Sequence, residues 1–430
     1  MPGHPVQLTV ADDLRRSRLT VFFRLLLAIP HFVWLWLWSI AAVFAVIAAW
    51  FAGIVTGRVP TSLHNFLAAY VRYATHLVSY VSLVANPYPS FTGTPGYPLD
   101  VELPEPEPQR RWTIALRPLL AIPALLVAAV LGAGLHAAGA PEHSADSSGD
   151  PAFFFSIGGA LAAIAFLGWF AALAIGRMPR GLRELGAYGI GYGAQTWAYF
   201  LLLTERYPRS DPDAIGPVWE LPPHQVQVAV DDDGRRSRLT VFFRLLFAIP
   251  HFVWLALWTV AALLAAIANG IIALVRGRSA DVLHRFLAAY VRYAAHVTAF
   301  ATLVANPFPG FTGDPGYPVD IAIGPRERQN RWITLFRFFL VIPALIVSSA
   351  LSGVLAIVGL LGWFASLVTG RMPHGLRSLG AYAVRYLSQT NAYWFIVTDD
   401  YPHASPALRP PPEAEPAYPY VPQPLEPEAI

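Results

Sequence analysis

The sequence predicts an all-α integral membrane protein made of four pseudo-repeated transmembrane helical hairpins, about eight spans, with interfacial amphipathic helices and short cytoplasmic β-strands. Three observations predict it. The chain is 55% hydrophobic and only 13% charged, whereas soluble domains carry about 25% charged residues. One apolar motif recurs along the chain, and arginines flank each apolar stretch. The net charge of +3 is too small to indicate nucleic-acid binding, and the absence of cysteine excludes disulfide and thiolate chemistry.

The repeats divide the chain into two membrane modules and a tail. RSRLTVFFRLLLAIPHFVWL begins at Arg16, and a nearly identical run begins at Arg236. Each module is itself a weaker duplication, because every quarter has an arginine six positions before a proline: Arg24 and Pro30, Arg117 and Pro123, Arg244 and Pro250, Arg337 and Pro343. We predict a first module at 1–220 (repeats 1–98 and 99–220), a second at 221–402 (repeats 221–318 and 319–402), and a disordered Pro-rich tail at 403–430.

The apolar stretch of each repeat is predicted to fold back as a hairpin. In three repeats 40 positions separate a leading arginine from a trailing one, as between Arg18 and Arg58, and so many helical residues would be about 60 Å long, twice the bilayer core. The second repeat has a polar insert, PEHSADSSGDP at 141–151, which cannot lie in hydrocarbon and therefore marks the turn. Because both hairpin ends are basic, we expect all arginine clusters and both termini in the cytoplasm of a multi-pass cell-membrane protein.

A third, amphipathic helix follows each hairpin. In the first repeat Leu63, Phe66, Tyr70, Tyr73 and Leu77 recur at helical spacing. We predict that these helices lie in the headgroup plane. The alternative is a third span in each repeat, twelve in all. Charge favours eight spans, because three crossings per repeat would place successive arginine clusters on alternate sides of the bilayer.

One short alternating segment precedes each basic cluster: VQLTV from Val6, LDVEL from Leu99, VQVAV from Val226 and VDIAI from Val319. Alternation with period two, bounded by turn residues, indicates strands. A single strand is not stable alone, so we predict that the four combine in one small cytoplasmic sheet. Extended linkers are the alternative.

Two sets of repeated polar residues are candidate sites. The first is Arg24, Arg117, Arg244 and Arg337, each about six residues, or roughly 9 Å of helix, inside its leading basic residue. Charge inside a membrane is often functional, but arginine can reach the interface from that depth, so a lipid-headgroup role and a structural role both stay open. The second set is a possible interfacial binding site on the third helices: Arg72, Tyr73, His76, Arg292, Tyr293, His296, Arg385 and Tyr386. It would hold an anionic headgroup, or it is simply the polar edge of each helix.

Several motifs resemble a known family. The runs RLTVFFRLLLAIPH, GWFASLVTGRMP, VRYATH and VRYLSQ, with the closing DDYP, resemble the bacterial membrane-protein family catalogued as domain of unknown function 4389, present here in tandem copies. The resemblance covers residues 16–89 and 110–208 and their copies at 236–309 and 330–402. The second copy departs by its insert and by Gly191 in place of an arginine, and the third by Arg-Ser-Ala at Arg278. The resemblance implies a multi-pass membrane location and supplies no activity and no functional residues.

The expected function is that of a non-enzymatic membrane scaffold or accessory protein of unknown molecular activity. Its expected partners are the lipid bilayer, anionic phospholipid or an unknown membrane protein, and no nucleic acid. The sequence has no phosphate loop or dinucleotide fingerprint, no nucleophile motif and no cluster of zinc ligands, so we predict no metal and no cofactor. A transporter or channel for a small solute is the alternative, because internal repeats are common in transporters. A membrane-embedded enzyme is the third possibility.

Overall fold

Each repeat contributes a short leading helix, a long apolar helix and a third helix. The computed structural model describes residues 4–132, 159–217, 219 and 221–408, and the backbone of 135–137 and 153–155. In this order, the helices of repeat 1 are Arg18–Phe22, Arg24–Thr56 and Thr61–Val81. Those of repeat 3 are Arg238–Phe242, Arg244–Arg276 and Asp281–Ala301, and those of repeat 4 are Arg331–Leu340, Ile342–Thr369 and His374–Trp394.

Repeat 2 has its long helix in two pieces. Its helices are Arg111–Ala115, Arg117–Leu120, Ile122–Leu131, Gly159–Ile175 and Arg180–Phe200, and a short 3-10 helix follows at Pro212–Ala214. Between the two pieces of the long helix, strands Leu135–Ala137 and Phe153–Phe155 pair antiparallel. The predicted turn at 141–151 lies outside the described residues.

The hairpin prediction is wrong for repeats 1, 3 and 4. The long helices of repeats 1 and 3 are unbroken over 33 residues, about 50 Å, and that of repeat 4 is unbroken over 28. The middle of the stretch is rich in helix formers in repeats 1 and 3, and in repeat 4 the helix continues through Ser348, Ser349 and Gly353. Each helix ends only at a glycine with positive φ, such as Gly57 at +75°. The length argument failed because the first residues of each stretch form the separate leading helix.

These three long helices are, among the described residues, the ones with the length and apolar composition to cross a bilayer. That property is compatible with a membrane protein. In repeat 1 the buried face carries mostly small residues, including Ala28, Ala42, Ala49 and Gly53. The opposite face is apolar and exposed along the helix, as expected of a helix that contacts lipid tails.

The third helices do not have the exposed face that the headgroup-plane prediction requires. Most residues of Thr61–Val81 are buried. On one side the long helix covers them, with the Tyr70 hydroxyl 2.9 Å from Ser39 Oγ. On the other side lies a strand, whose Val101 carbonyl accepts a hydrogen bond from Arg72 Nε. The prediction of interfacial helices is therefore wrong, because their polar side chains face protein partners.

All four predicted strands form, but the prediction of a single sheet is wrong. Gln7–Val10 pairs antiparallel with Leu99–Glu102, and Val226–Val230 pairs with Val319–Ile323. Each two-stranded sheet therefore joins the two repeats of one module. Such a sheet is marginal by itself, and it is stabilised here because strand residues such as Val101 are buried against a third helix.

The two repeats of each module exchange their ends. The Arg16 N–H donates to the carbonyl of Gly176, which ends the long helix of repeat 2, and the Gln109 N–H donates to Gly57 O at the end of repeat 1, both at 2.9 Å. The second module has the same two bonds, from Arg236 to Gly370 and from Gln329 to Gly277. Because each leading segment directly precedes its own long helix, the two long helices of a module run in opposite directions.

Residues 404–407, which the prediction placed in the disordered tail, pack against the protein. Ala404, Ser405 and Ala407 are buried, and the hydroxyl of Tyr382 donates to Ala404 O at 2.8 Å. The proline content of this segment hid its packing, because proline excludes helix but not an extended chain bound to a protein surface. The rest of the predicted tail, 409–430, lies outside the described residues.

Candidate functional site

The first set of candidate arginines is buried at the C-terminal ends of the third helices. Arg24 is 2% exposed. Its Nη1 donates to the carbonyls of Tyr80 at 2.7 Å and Ala85 at 3.1 Å, and its Nη2 donates to Asn86 Oδ1 at 2.9 Å. The guanidinium carbon lies 4.3 Å from the centroid of the Tyr80 ring. The last carbonyls of a helix have no partner within the helix, and Arg24 supplies one.

The other three arginines make the same contacts. Each donates to the carbonyl of the aromatic residue below its guanidinium and to a carbonyl five residues later: Arg117 to Tyr199 and Thr204, Arg244 to Phe300 and Ala305, Arg337 to Tyr393 and Thr398. A side-chain oxygen completes each set: Gln109 for Arg117, Asn306 for Arg244 and Asp399 for Arg337. Because the same contacts occur in all four repeats, we interpret these arginines as a structural feature of the repeat.

A strained turn explains why an arginine is needed there. Each third helix ends in a left-handed residue that is not glycine, with φ between +61° and +64°: Leu83, Leu202, Leu303 and Ile396. That conformation costs roughly 1–2 kcal/mol for a residue with a side chain. Arg24 bonds carbonyls before and after Leu83, and so it offsets this cost. A headgroup role requires an accessible guanidinium, whereas these contacts are those of the structural alternative.

Sequence reasoning missed a further buried arginine in each module, near the start of its first repeat. Arg16 Nη2 donates to Asp12 Oδ2 at 2.7 Å and to the Leu83 carbonyl at 2.9 Å. Arg236 makes the equivalent contacts with Asp232 and Leu303. Aspartate four positions before arginine was the available signal, but it occurs in a turn, where a solvated pair is the usual outcome.

The second set of candidates surrounds a carboxylate that the prediction did not include. His76 Nε2 lies 2.9 Å from Asp100 Oδ1, and Arg72 Nε lies 3.6 Å from the same oxygen. The ring of Tyr97 stacks on His76 with centroids 4.6 Å apart. The second module repeats this arrangement with Arg292, His296, Asp320 and Tyr317. The place predicted for an anionic headgroup is occupied by the protein's own aspartate.

The remaining candidates lie apart from that cluster. Tyr73 places its hydroxyl 2.7 Å from His31 Nδ1, and Tyr293 lies 2.8 Å from His251 Nδ1 in the same way. These two pairs join third helices to long helices. Tyr386 is buried as well.

Arg385, in repeat 4, is 1% exposed and donates to the carbonyls of His403 and Ser405. The corresponding Gly191 of repeat 2 packs closely against Ile215 and Leu8 instead. The eight predicted residues therefore do not form one surface.

The aspartate cluster makes folding stability dependent on pH. Burial alone would raise the pKa of Asp100, but hydrogen bonds with His76 and from the Gly96 and Val101 N–H groups hold it below its ordinary value of 3.8. A carboxylate whose pKa is lower in the folded state contributes stability above its unfolded pKa, and this contribution is lost as the pH falls through the folded value. We expect the unfolding midpoint of the full chain to fall steeply below about pH 4.

The double variant Asp100→Asn and Asp320→Asn tests this expectation by thermal unfolding across the pH range. It should unfold at a lower temperature at pH 7 and should lose part of the dependence below pH 4. An unaltered acid dependence in this variant would assign the effect to other carboxylates.

The exposed arginines form pairs between the two repeats of a module. The sequence prediction, which placed all arginine clusters on the cytoplasmic side, did not include such pairs. Because the repeats exchange their ends, the leading arginine of one repeat lies beside the trailing arginine of the other. The four exposed pairs are Arg18 with Arg177, Arg111 with Arg58, Arg238 with Arg371, and Arg331 with Arg278. In three of them the leading arginine bonds the end of the long helix, as Arg18 Nη2 does with Ala174 O at 2.9 Å. The equivalent bonds are from Arg238 to Val368 O and from Arg331 to Val275 O.

In the described part of the chain, no group of three or more histidine or acidic side chains is arranged to hold a metal ion.

The family model described as "Domain of unknown function (DUF4389)" matches four segments, 18–93, 152–210, 238–312 and 331–405, more than half of the chain. The predicted resemblance, in tandem copies, is thereby confirmed. Neither the curated proteins nor the solved structures offer a match.

Proposed function

Because the chain belongs to the DUF4389 family, whose name gives no activity, we propose from its structure that it is a multi-pass, non-enzymatic membrane scaffold whose exposed arginine pairs bind anionic phospholipid. The observation that carries the proposal is the position of these pairs. Each lies where an apolar long helix ends and an apolar leading helix begins. Cationic side chains at that level are placed to meet lipid phosphates.

The surface around the arginine pairs supports a lipid partner. The leading helices expose large apolar side chains beside the arginines, including Leu19, Phe22, Trp112 and Trp332. Soluble monomers rarely expose contiguous apolar patches larger than a few hundred Å². Arginine next to exposed tryptophan and leucine is the usual composition of a membrane interface.

We place the ends of each long helix at opposite membrane faces. An unbroken helix of about 50 Å exceeds the hydrocarbon thickness of about 30 Å and can cross it when tilted. The opposed directions of the two long helices in a module then give each face one arginine pair per module. This arrangement replaces the predicted hairpins with all arginine clusters on the cytoplasmic side.

Lipid enrichment tests the proposal. We expect the full chain, purified from membranes in mild detergent, to retain phosphatidylglycerol-type lipids in preference to phosphatidylcholine-type lipids. Each arginine near an anionic surface contributes about 1 kcal/mol. A variant with glutamine at Arg18, Arg111, Arg238 and Arg331 should therefore lose most of this preference, measured by mass spectrometry of retained lipids.

The matched control carries lysine at the same four positions, which keeps the charge and should keep most of the preference. Equal retention of anionic and zwitterionic lipid by the unsubstituted chain would refute the proposal. Loss of the preference in the lysine variant would also count against it, because lysine remains a cation at these sites.

A transporter is the second candidate, and the opposed long helices favour it, since inverted repeats are common among transporters. A transporter for a polar solute needs polar side chains that line its path. Reconstituted vesicles that release an entrapped ion or small solute faster than protein-free vesicles would favour this alternative over the scaffold.

A further inference from the structure

Two apolar grooves occupy equivalent places in the first module. The larger, of about 450 Å³, lies between Leu25 and Leu83 on one side and Ala162, Phe166 and Trp169 on the other. The smaller, of about 290 Å³, is lined by Pro118 and Leu202 opposite Val46, Ile47 and Trp50. Both are lined almost entirely by apolar atoms and are open to the outside of the molecule.

The equivalence follows from the exchange of ends between the repeats. Each groove has one wall from the second half of a long helix, with a tryptophan eight positions before the trailing arginine: Trp50 before Arg58, and Trp169 before Arg177. The other wall is the start of the partner repeat's apolar stretch. Arg24 lines one groove and Arg117 the other, but their guanidinium groups are already bonded to helix-end carbonyls.

An exposed arginine pair lies at the end of each groove. Phe170 lines the larger groove, and Ala174, one helical turn further on, is the residue whose carbonyl accepts the hydrogen bond from Arg18. In the smaller groove Trp50 Nε1 donates to Ile114 O at 2.9 Å, which joins that groove to the leading helix that begins at Arg111.

We infer that each groove holds one acyl chain of an anionic phospholipid, whose phosphate lies at the arginine pair: Arg18 and Arg177 for the larger groove, Arg58 and Arg111 for the smaller. The apolar walls suit a hydrocarbon chain, and the exposed cations at the groove end complement a phosphate. Both grooves fall near the lower end of the size range for small-ligand sites. This inference rests on the proposed lipid contact. It adds two defined binding sites to that contact, whereas general attraction to an anionic surface requires no defined site.

The second module explains why the smaller site is assigned to the first. The position equivalent to Trp50 is Gly270, and a Cβ built there would lie 2.9 Å from Ile396 Cδ1. Isoleucine from the end of a third helix therefore takes the space of the tryptophan. Asn269 next to it donates to the Ile396 carbonyl at 3.1 Å, and this bond fixes the filled arrangement.

Native mass spectrometry of the full chain with added phosphatidylglycerol tests the inference. Ala165→Phe adds a ring inside the larger groove and should remove one tightly retained lipid per chain. Val46→Phe should remove one from the smaller groove. Ala41→Phe adds the same ring on the exposed face of the first long helix, away from both grooves, and should leave the number unchanged.

Fluorescence gives a second measurement that does not depend on the filling variants. Phosphatidylglycerol with brominated acyl chains should quench the unsubstituted chain more than brominated phosphatidylcholine does. The excess should shrink when Trp50→Phe and Trp169→Phe are combined, because these two rings line the grooves.

The outcomes separate the grooves from the general lipid contact. Retained lipid that disappears with Arg18→Gln but not with Ala165→Phe would overturn the groove and leave the arginine contact standing. Retention of the lipid in both variants would overturn both the groove and the arginine contact. A dimer that dissociates in Ala165→Phe would also overturn the inference, since the occupant would then be a second copy of the chain.

Discussion

Replacing Arg24 with glutamine is expected to destabilise the full chain by about 3 kcal/mol or more. The change removes the charged donor from the Ala85 carbonyl and the Asn86 side chain, and each buried polar group left unpaired costs about 1–3 kcal/mol. The Tyr80 carbonyl keeps only its bond from the Leu83 N–H. The change also removes the contact that holds Leu83 at φ +64°. The measurement is chemical or thermal unfolding in one detergent, followed by tryptophan fluorescence.

Arg18→Gln is the matched control, because Arg18 is exposed and lies six positions earlier. Its loss removes one hydrogen bond to a helix C-terminus, worth about 0.3–1 kcal/mol. Arg117→Gln should resemble Arg24→Gln, since Arg117 makes the same contacts in repeat 2. If Arg24→Gln left stability unchanged and abolished retention of anionic lipid, the headgroup role would be correct and the structural role wrong.

Local patterns in the sequence predicted the elements well. The fourfold repeat, the four strands and the arginines that flank each apolar stretch are all read from residues close together in the chain. Gly57 illustrates this: a glycine after an apolar run indicates a left-handed helix end, and its φ is +75°. Elements of this kind are fixed by neighbours along the chain, so a single sequence is sufficient to find them.

Contacts between distant segments were not predictable in the same way. His76 reads as a surface residue on an amphipathic helix until Asp100, 24 positions later, is known to meet it. Arg24 reads as an arginine near the lipid interface until its bonds to Tyr80 and Ala85 are seen. Hydrophobic periodicity shows that a helix face is polar or apolar, but not whether protein or lipid covers it.

The hairpin was wrong for a related reason. The insert of repeat 2 was taken as the position of a turn in every repeat, although Ser348, Ser349 and Gly353 of repeat 4 lie inside a continuous helix. A polar insert in one copy shows where that copy tolerates an interruption, and it does not show that the other copies are interrupted. The exchange of ends between repeats could not be predicted either. Similar motifs occur in both repeats of a module, so the sequence does not show whether the start of a repeat contacts the end of its own long helix or that of the other repeat.

Cysteines at the two ends of the first long helix are expected to react from opposite sides of the membrane. The chain has no cysteine of its own, so single substitutions give clean labels. Ser17→Cys precedes the leading helix, and Ser62→Cys follows the long helix; both positions are exposed. A membrane-impermeant maleimide added to intact cells should label one of the two at once and the other only after permeabilisation.

Arg177→Cys is the control that separates the two arrangements. It lies in repeat 2, but Arg177 pairs with Arg15 through their backbones, so it should be labelled like Ser17→Cys and unlike Ser62→Cys. The predicted hairpins would instead place all three cysteines on one side. Labelling of all three from a single side would mean that the 33-residue helix lies along the membrane rather than across it. The arginine pairs would then all face one leaflet, and only that leaflet could supply their lipid.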